Sequence, residues 1–213
     1  MPSSSAREAT ARDARDAAPA RAFHVKGNVY LGTQAFFAAK VPGGLAALHA
    51  SIDDPSLLAF IQQKFLPCAW YDVLPAVPLI RAEAQAMGLT VRRYLLARSG
   101  YQASQDLAGV YRIILKIASA SQIGLRLPQL FTQVFDFGKS DSSLAAPGHV
   151  EAHVRDFPLV LFEWFSTSLE VYASEALRLT GARECVVTTR KVESATRSAV
   201  PLASLRLDLR WKV

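Results

Sequence analysis

The chain has 213 residues, 51% hydrophobic and 20% charged, which is enough apolar side chain for one sizeable core and far from the composition of a disordered protein. Its 2 cysteines exclude a disulfide scaffold and an all-Cys zinc finger, and no uncharged apolar run reaches the ~18 residues of a membrane span. Most of the net charge of +6 falls between Arg81 and Arg126, where Arg92, Arg93, Arg98, Arg112 and Lys116 are opposed only by Glu83 and Asp106. These dispersed charges read as a solvated helical surface, so no sequence-specific nucleic acid is expected.

Residues 1–22 are mainly Ala, Ser and Arg with interleaved acids, and after Met1 no large apolar side chain precedes Phe23. Such a segment cannot offset its ordering entropy and is expected to be a disordered leader to a single domain over 23–213. It lacks the apolar centre of a secretory signal, and Glu8, Asp13 and Asp16 argue against a transit peptide, so a cytoplasmic location is expected.

Val25, Val29 and Leu31 suggest a short entry strand, followed by a helix to Lys40 that Pro42, Gly43 and Gly44 interrupt. Asp54 and Pro55 make a helix start, with Leu57, Leu58, Ile61 and Phe65 as its buried stripe. Leu66 to Asp72 reads as an aromatic-bearing connector, and two helices are expected at roughly 89–103 and 106–120. Phe131 to Phe137 is aromatic and β-branched and predicts a strand, with the Ser-rich run after Gly138 as a loop. His149 to Asp156 alternates as a strand. Pro158 opens a long helix carrying Phe162, Phe165, Leu169 and Tyr172 on one face, and Gly181 stands where its C-terminal cap belongs. Val186–Val192 and Leu202–Val213 complete the strands. This order predicts an α+β domain, with helices on one face of an antiparallel sheet of about four strands.

Chemical signals are sparse. There is no nucleophile elbow, P-loop, dinucleotide fingerprint or zincin motif, so nothing local argues for an enzyme. His149 and His153 stand four apart on the predicted strand, about 13 Å, too far for one ion, and no metal site is expected from them. His24 and His49 lack an acidic or Cys partner at a ligand spacing; a haem axial role for His49 stays open, because one proximal His suffices. Cys68 and Cys185 read as free thiols.

The segments Leu66-Pro67-Cys68-Ala69-Trp70-Tyr71, Asp106-Leu107-Ala108-Gly109-Val110-Tyr111-Arg112, Phe135-Asp136-Phe137-Gly138 and Leu207-Asp208-Leu209-Arg210-Trp211 resemble landmarks of an uncharacterised domain family that is abundant as paralogues in myxobacteria. That family is more distantly similar to the superfold of 4-vinyl reductases, haem-NO-binding domains and a TRAPP tethering subunit. The resemblance implies helices packed on an antiparallel sheet around an apolar pocket, and a role in small-molecule sensing. The last hairpin lacks the Gly and Cys of the 4-vinyl-reductase type. No Tyr-x-Ser-x-Arg string of the haem-NO-binding type is present, so no cofactor is expected and haem is disfavoured.

The function expected from these readings is a non-enzymatic, cytoplasmic small-molecule-binding or regulatory module with an apolar pocket. Its candidate ligand-binding residues are Phe162, Phe165, Tyr172 and Trp211 as lining, with Tyr111 and Arg112 as polar anchor. An apolar small molecule is the expected partner. The alternative is an interaction or assembly module, homodimeric or bound to another protein, without ligand; an enzyme acting on a hydrophobic small molecule ranks third.

Overall fold

The computed structural model describes residues 23–108, 117–192 and 200–212. Its first half is helical. β1 (His24–Lys26) leads into α1 (Asn28–Lys40), followed by α2 (Gly44–Ala50), α3 (Pro55–Gln62), β2 (Trp70–Asp72), α4 (Ala76–Ala86) and α5 (Val91–Asp106). Asp54 caps α3 by accepting a hydrogen bond from the Ser56 amide, with Pro55 in the first turn where its missing N–H costs nothing. The entry strand is short, and Val29 and Leu31 belong to α1. The expected connector contains β2, which pairs antiparallel with β1 and places Trp70 opposite Lys26. The Lys26 ammonium sits 3.9 Å from the centre of the Trp70 ring.

The second half is α6 (Ala120–Val134), β3 (Lys139–Ala146), β4 (His149–Pro158), a 3-10 turn (Leu159–Leu161), α7 (Phe162–Leu179), β5 (Arg183–Val192) and β6 (Leu202–Lys212). The four strands form one antiparallel sheet in the order β3-β4-β6-β5. α6 packs on β3 and β4, and α7 on β5 and β6, so among the described residues the helices cover one face of the sheet and leave the other open. Val150, Ala152 and Val154 of β4 and Leu205, Leu207 and Leu209 of β6 point under the helices. Gly124 permits the approach of α6, since a Cβ there would meet the Val150 side chain at 3.3 Å. The α+β class and the four-stranded sheet match the expectation from sequence, with a second, two-stranded sheet besides.

Two local expectations are corrected. Phe131 to Val134 is helical, because Ser119 and Gln122 form a capping box that starts α6, and Phe131 and Phe135, four apart, stack at 4.6 Å. The Ser-rich run after Gly138 is β3, not a loop. Its inward positions are Ser140 and Ser142, whose hydroxyls donate to the carbonyls of Pro128 and Leu125 on α6. Polar side chains thus fill positions where a strand pattern would show hydrophobic ones. The expected helix at 106–120 falls mostly outside the described residues, as does the leader.

Candidate functional site

α4 buries Ala76, Leu79, Ile80, Glu83 and Ala84, a helical stripe that is apolar except for one carboxylate. α5 buries Tyr94, Leu95, Arg98 and Ser99. Packing α4 on α5 and α5 on α1 brings Glu83, Tyr94, Arg98 and Thr33 into one buried cluster. Arg98 donates from Nε to the Thr33 hydroxyl at 2.9 Å and from a terminal nitrogen to the Val29 carbonyl at 2.9 Å. Glu83 is 0% exposed, and neither of its carboxyl oxygens completes a hydrogen bond among the described residues. The buried Tyr94 hydroxyl is also without a completed bond.

Burial pushes the Glu83 carboxyl up to about 7, against the opposing pull of the Arg98 guanidinium and the nearby Tyr94 hydroxyl. Burial and the proximity of Glu83 push the Tyr94 hydroxyl above its ordinary value. A buried acid that titrates near neutrality, beside a fixed cation and an unused hydroxyl, can take up or release a proton or accept donors from a bound molecule. Arg98 and Glu83 therefore leave the solvated basic surface expected for this stretch, while Arg81, Arg92, Arg93 and Arg126 are on it. The signal available in the sequence was the spacing of Glu83 after Leu79 and Ile80 and of Arg98 after Tyr94 and Leu95.

A small pocket of about 70 Å3 opens one helical turn away along α4, lined by Val77, Ile80, Leu95, Val160 and Trp164 together with the charged Arg81 and Glu163. A groove of about 390 Å3, open to solvent, runs between α5 and α7 past Leu96, Gly100, Val171 and Ser174. Of the residues expected to bind ligand, Phe162 and Phe165 flank Phe157, and Phe165 also meets Phe131, Phe135 and Trp164. These rings fill the space between helices and sheet. Tyr172 lies farther along α7 and donates to the Asp106 carboxylate at 2.7 Å. Trp211 is buried near the end of β6, its amide bonded to the Gly148 carbonyl. Tyr111 and Arg112 lie outside the described residues.

No protein-family model and no curated protein matches the chain. Solved structures match it over most of its length. An oxygen-binding H-NOX domain related to soluble guanylate cyclases superposes with a TM-score of 0.61 at 10% identity, over 88% of this chain and 95% of that one. An H-NOX protein from S. oneidensis gives 0.57 at 9% identity, over 88% and 96%. A haem protein whose redox potential is modulated by porphyrin distortion gives 0.61 at 10% identity, over 88% and 95%. The chain thus has the fold of H-NOX domains, in line with the haem-NO-binding part of the expected resemblance.

That likeness corrects one expectation. The sequence leads to the expectation of no cofactor, with haem disfavoured for want of a Tyr-x-Ser-x-Arg string; the fold, however, is that of H-NOX domains, and one of the matched structures is a haem protein. The described side chains give a mixed fit to such a group. The Nε2 atom of His49, at the end of α2, is buried without a hydrogen-bond partner, as an axial ligand would be before it met iron. His24, His149 and His153 are each engaged by a carboxylate.

Proposed function

We propose that the chain is a non-enzymatic, cytoplasmic small-molecule-sensing module whose responsive element is the Glu83–Tyr94–Arg98 cluster between α1, α4 and α5. The observation that carries this reading is the fully buried Glu83 carboxyl with both oxygens unpartnered. Leaving such a group unsatisfied costs several kcal/mol, a cost offset when the group holds a proton or accepts donors from a guest. The H-NOX-like fold supports the reading at the level of architecture.

The guest is a small molecule with an apolar body, taken up in the pocket beside Ile80, Leu95 and Trp164, and a donor that reaches past this pocket to Glu83, one turn along α4 from Ile80. Binding then shifts the charge state of the cluster, and Arg98 transmits the change to α1 through Thr33 and Val29.

Native mass spectrometry of freshly purified protein tests this. A bound small-molecule mass on the folded chain, lost on denaturation and reduced in Glu83→Gln, is the expected result. Bare chain in both proteins, with no rise in melting temperature across a panel of apolar ligands, would favour the interaction-module reading instead.

A further inference from the structure

The open face of the sheet carries a second cluster, independent of the reading above. His149 and Glu151 lie two apart on β4 and so point to the same face, and Asp208 of β6 is directly opposite Glu151 in the register. The His149 Nε2 atom is 2.6 Å from one Asp208 oxygen and 3.9 Å from a Glu151 oxygen. One donor atom from each of the three residues lies within 4.8 Å of the others. The distance between His149 and His153 along one strand gave no hint of this, since the other donors come from two residues along and from the neighbouring strand.

We propose that His149, Glu151 and Asp208 form a binding site for a divalent transition-metal ion of the zinc type, with a solvent-facing position left for water. One imidazole and two carboxylates suit such an ion, whereas magnesium and calcium prefer all-oxygen sets. Bonds of about 2.0–2.2 Å would hold the donors roughly 3.4 Å apart, so the His149–Asp208 pair at 2.6 Å must open and the wider separations, all within 4.8 Å, must close. Glu151 is a flexible side chain on the open face and can supply that movement.

The cluster is already arranged around positive charge. Arg206 pairs with Glu151 and lies 3.7 Å from Asp208, and Arg210 lies 3.2 Å from Asp208. Asp208 itself is only 7% exposed, although it points to the uncovered face, because these side chains and His149 crowd over it. The two guanidiniums are 41% and 61% exposed. A bound ion takes over the charge that Arg206 supplies to Glu151 and to the nearly buried Asp208, and so competes with that guanidinium for them.

The test is calorimetric titration of the tag-free chain with zinc chloride. The expected result is one equivalent bound, with affinity reduced about tenfold or more in His149→Gln and Glu151→Gln and raised severalfold in Arg206→Gln, which removes the competing cation. A merely structural ion-pair network would instead lose stability in Arg206→Gln and gain no affinity. Should a variant fail to fold, NMR of the unaltered chain decides: zinc must shift the imidazole resonances of His149 and leave those of the other histidines in place. No binding, an affinity unchanged in His149→Gln, or shifts confined to another histidine would overturn the proposal.

Discussion

Arg98 on α5 donates its Nε hydrogen to the Thr33 hydroxyl on α1 at 2.9 Å, and this bond holds a buried guanidinium near a carboxyl that has no hydrogen bond of its own. The arrangement is an incomplete ion pair. Arg98 donates to α1, and Glu83 receives its field together with the pull of the adjacent Tyr94 hydroxyl. In an interior of low dielectric that field is enough to lower the Glu83 pKa but not to cancel the cost of burial.

A pH dependence follows. The folded-state value of about 7 is above the ordinary 4.5, so the native chain keeps a proton that the unfolded chain has lost between those values. The stability Glu83 contributes is therefore present in full below pH 4.5 and lost as pH rises through about 7, a change on the order of 3 kcal/mol at most. Urea denaturation at pH 5 and pH 8 will show a larger drop for the natural chain than for Glu83→Gln. Equal drops would mean Glu83 is ionised in both states.

Arg98→Met removes the only cation facing Glu83 among the described residues of the cluster. The expected loss is about 3 kcal/mol at pH 8, where Glu83 would otherwise be ionised, and clearly less at pH 5. In the double variant with Glu83→Gln the loss at pH 8 shrinks, because no buried carboxylate is left stranded. Additive losses in that cycle would show that the two groups are not coupled.

Much of the fold could be read from the sequence. The alternation of Leu205, Leu207 and Leu209 gives β6, the start at Asp54 and Pro55 gives α3, and Gly181, with φ of +86°, stands just past the end of α7. β3 was hidden because its inward side chains are serines bonded to α6 carbonyls, which no hydrophobic period records. The end of α6 was hidden because the capping box and the stacking of Phe131 on Phe135 override the strand preference of its aromatics. The buried cluster was hidden for a different reason. Arg98 and Glu83 look like surface charges when counted along the chain, and only the packing of α4, α5 and α1 shows that they face inward.

Phe165 is 3% exposed and touches rings from α6, β4 and its own helix. Phe165→Ala should cost about 3–5 kcal/mol in chemical denaturation, and the partly buried Phe162→Ala less than half of that. If the two losses were equal, the space between helix and sheet would be less tightly filled than its ring contacts imply.

Tyr172 donates to Asp106 across the α5–α7 contact at 2.7 Å. Burial and the adjacent carboxylate hold its hydroxyl protonated well above its ordinary range. Tyr172→Phe should lower stability by about 1 kcal/mol without altering the fold. An unchanged melting temperature would mean the bond exchanges freely with water.

The most direct test of the sensing account is a thermal-shift titration of the natural chain and of Glu83→Gln with small apolar amines and alcohols, molecules that bring a donor to a carboxyl. The account predicts a saturable rise in melting temperature for at least one of them in the natural chain, with an apparent affinity about tenfold weaker in Glu83→Gln. A saturable rise that is the same in both proteins would contradict the role assigned to Glu83, and no rise with any of them would contradict the account itself.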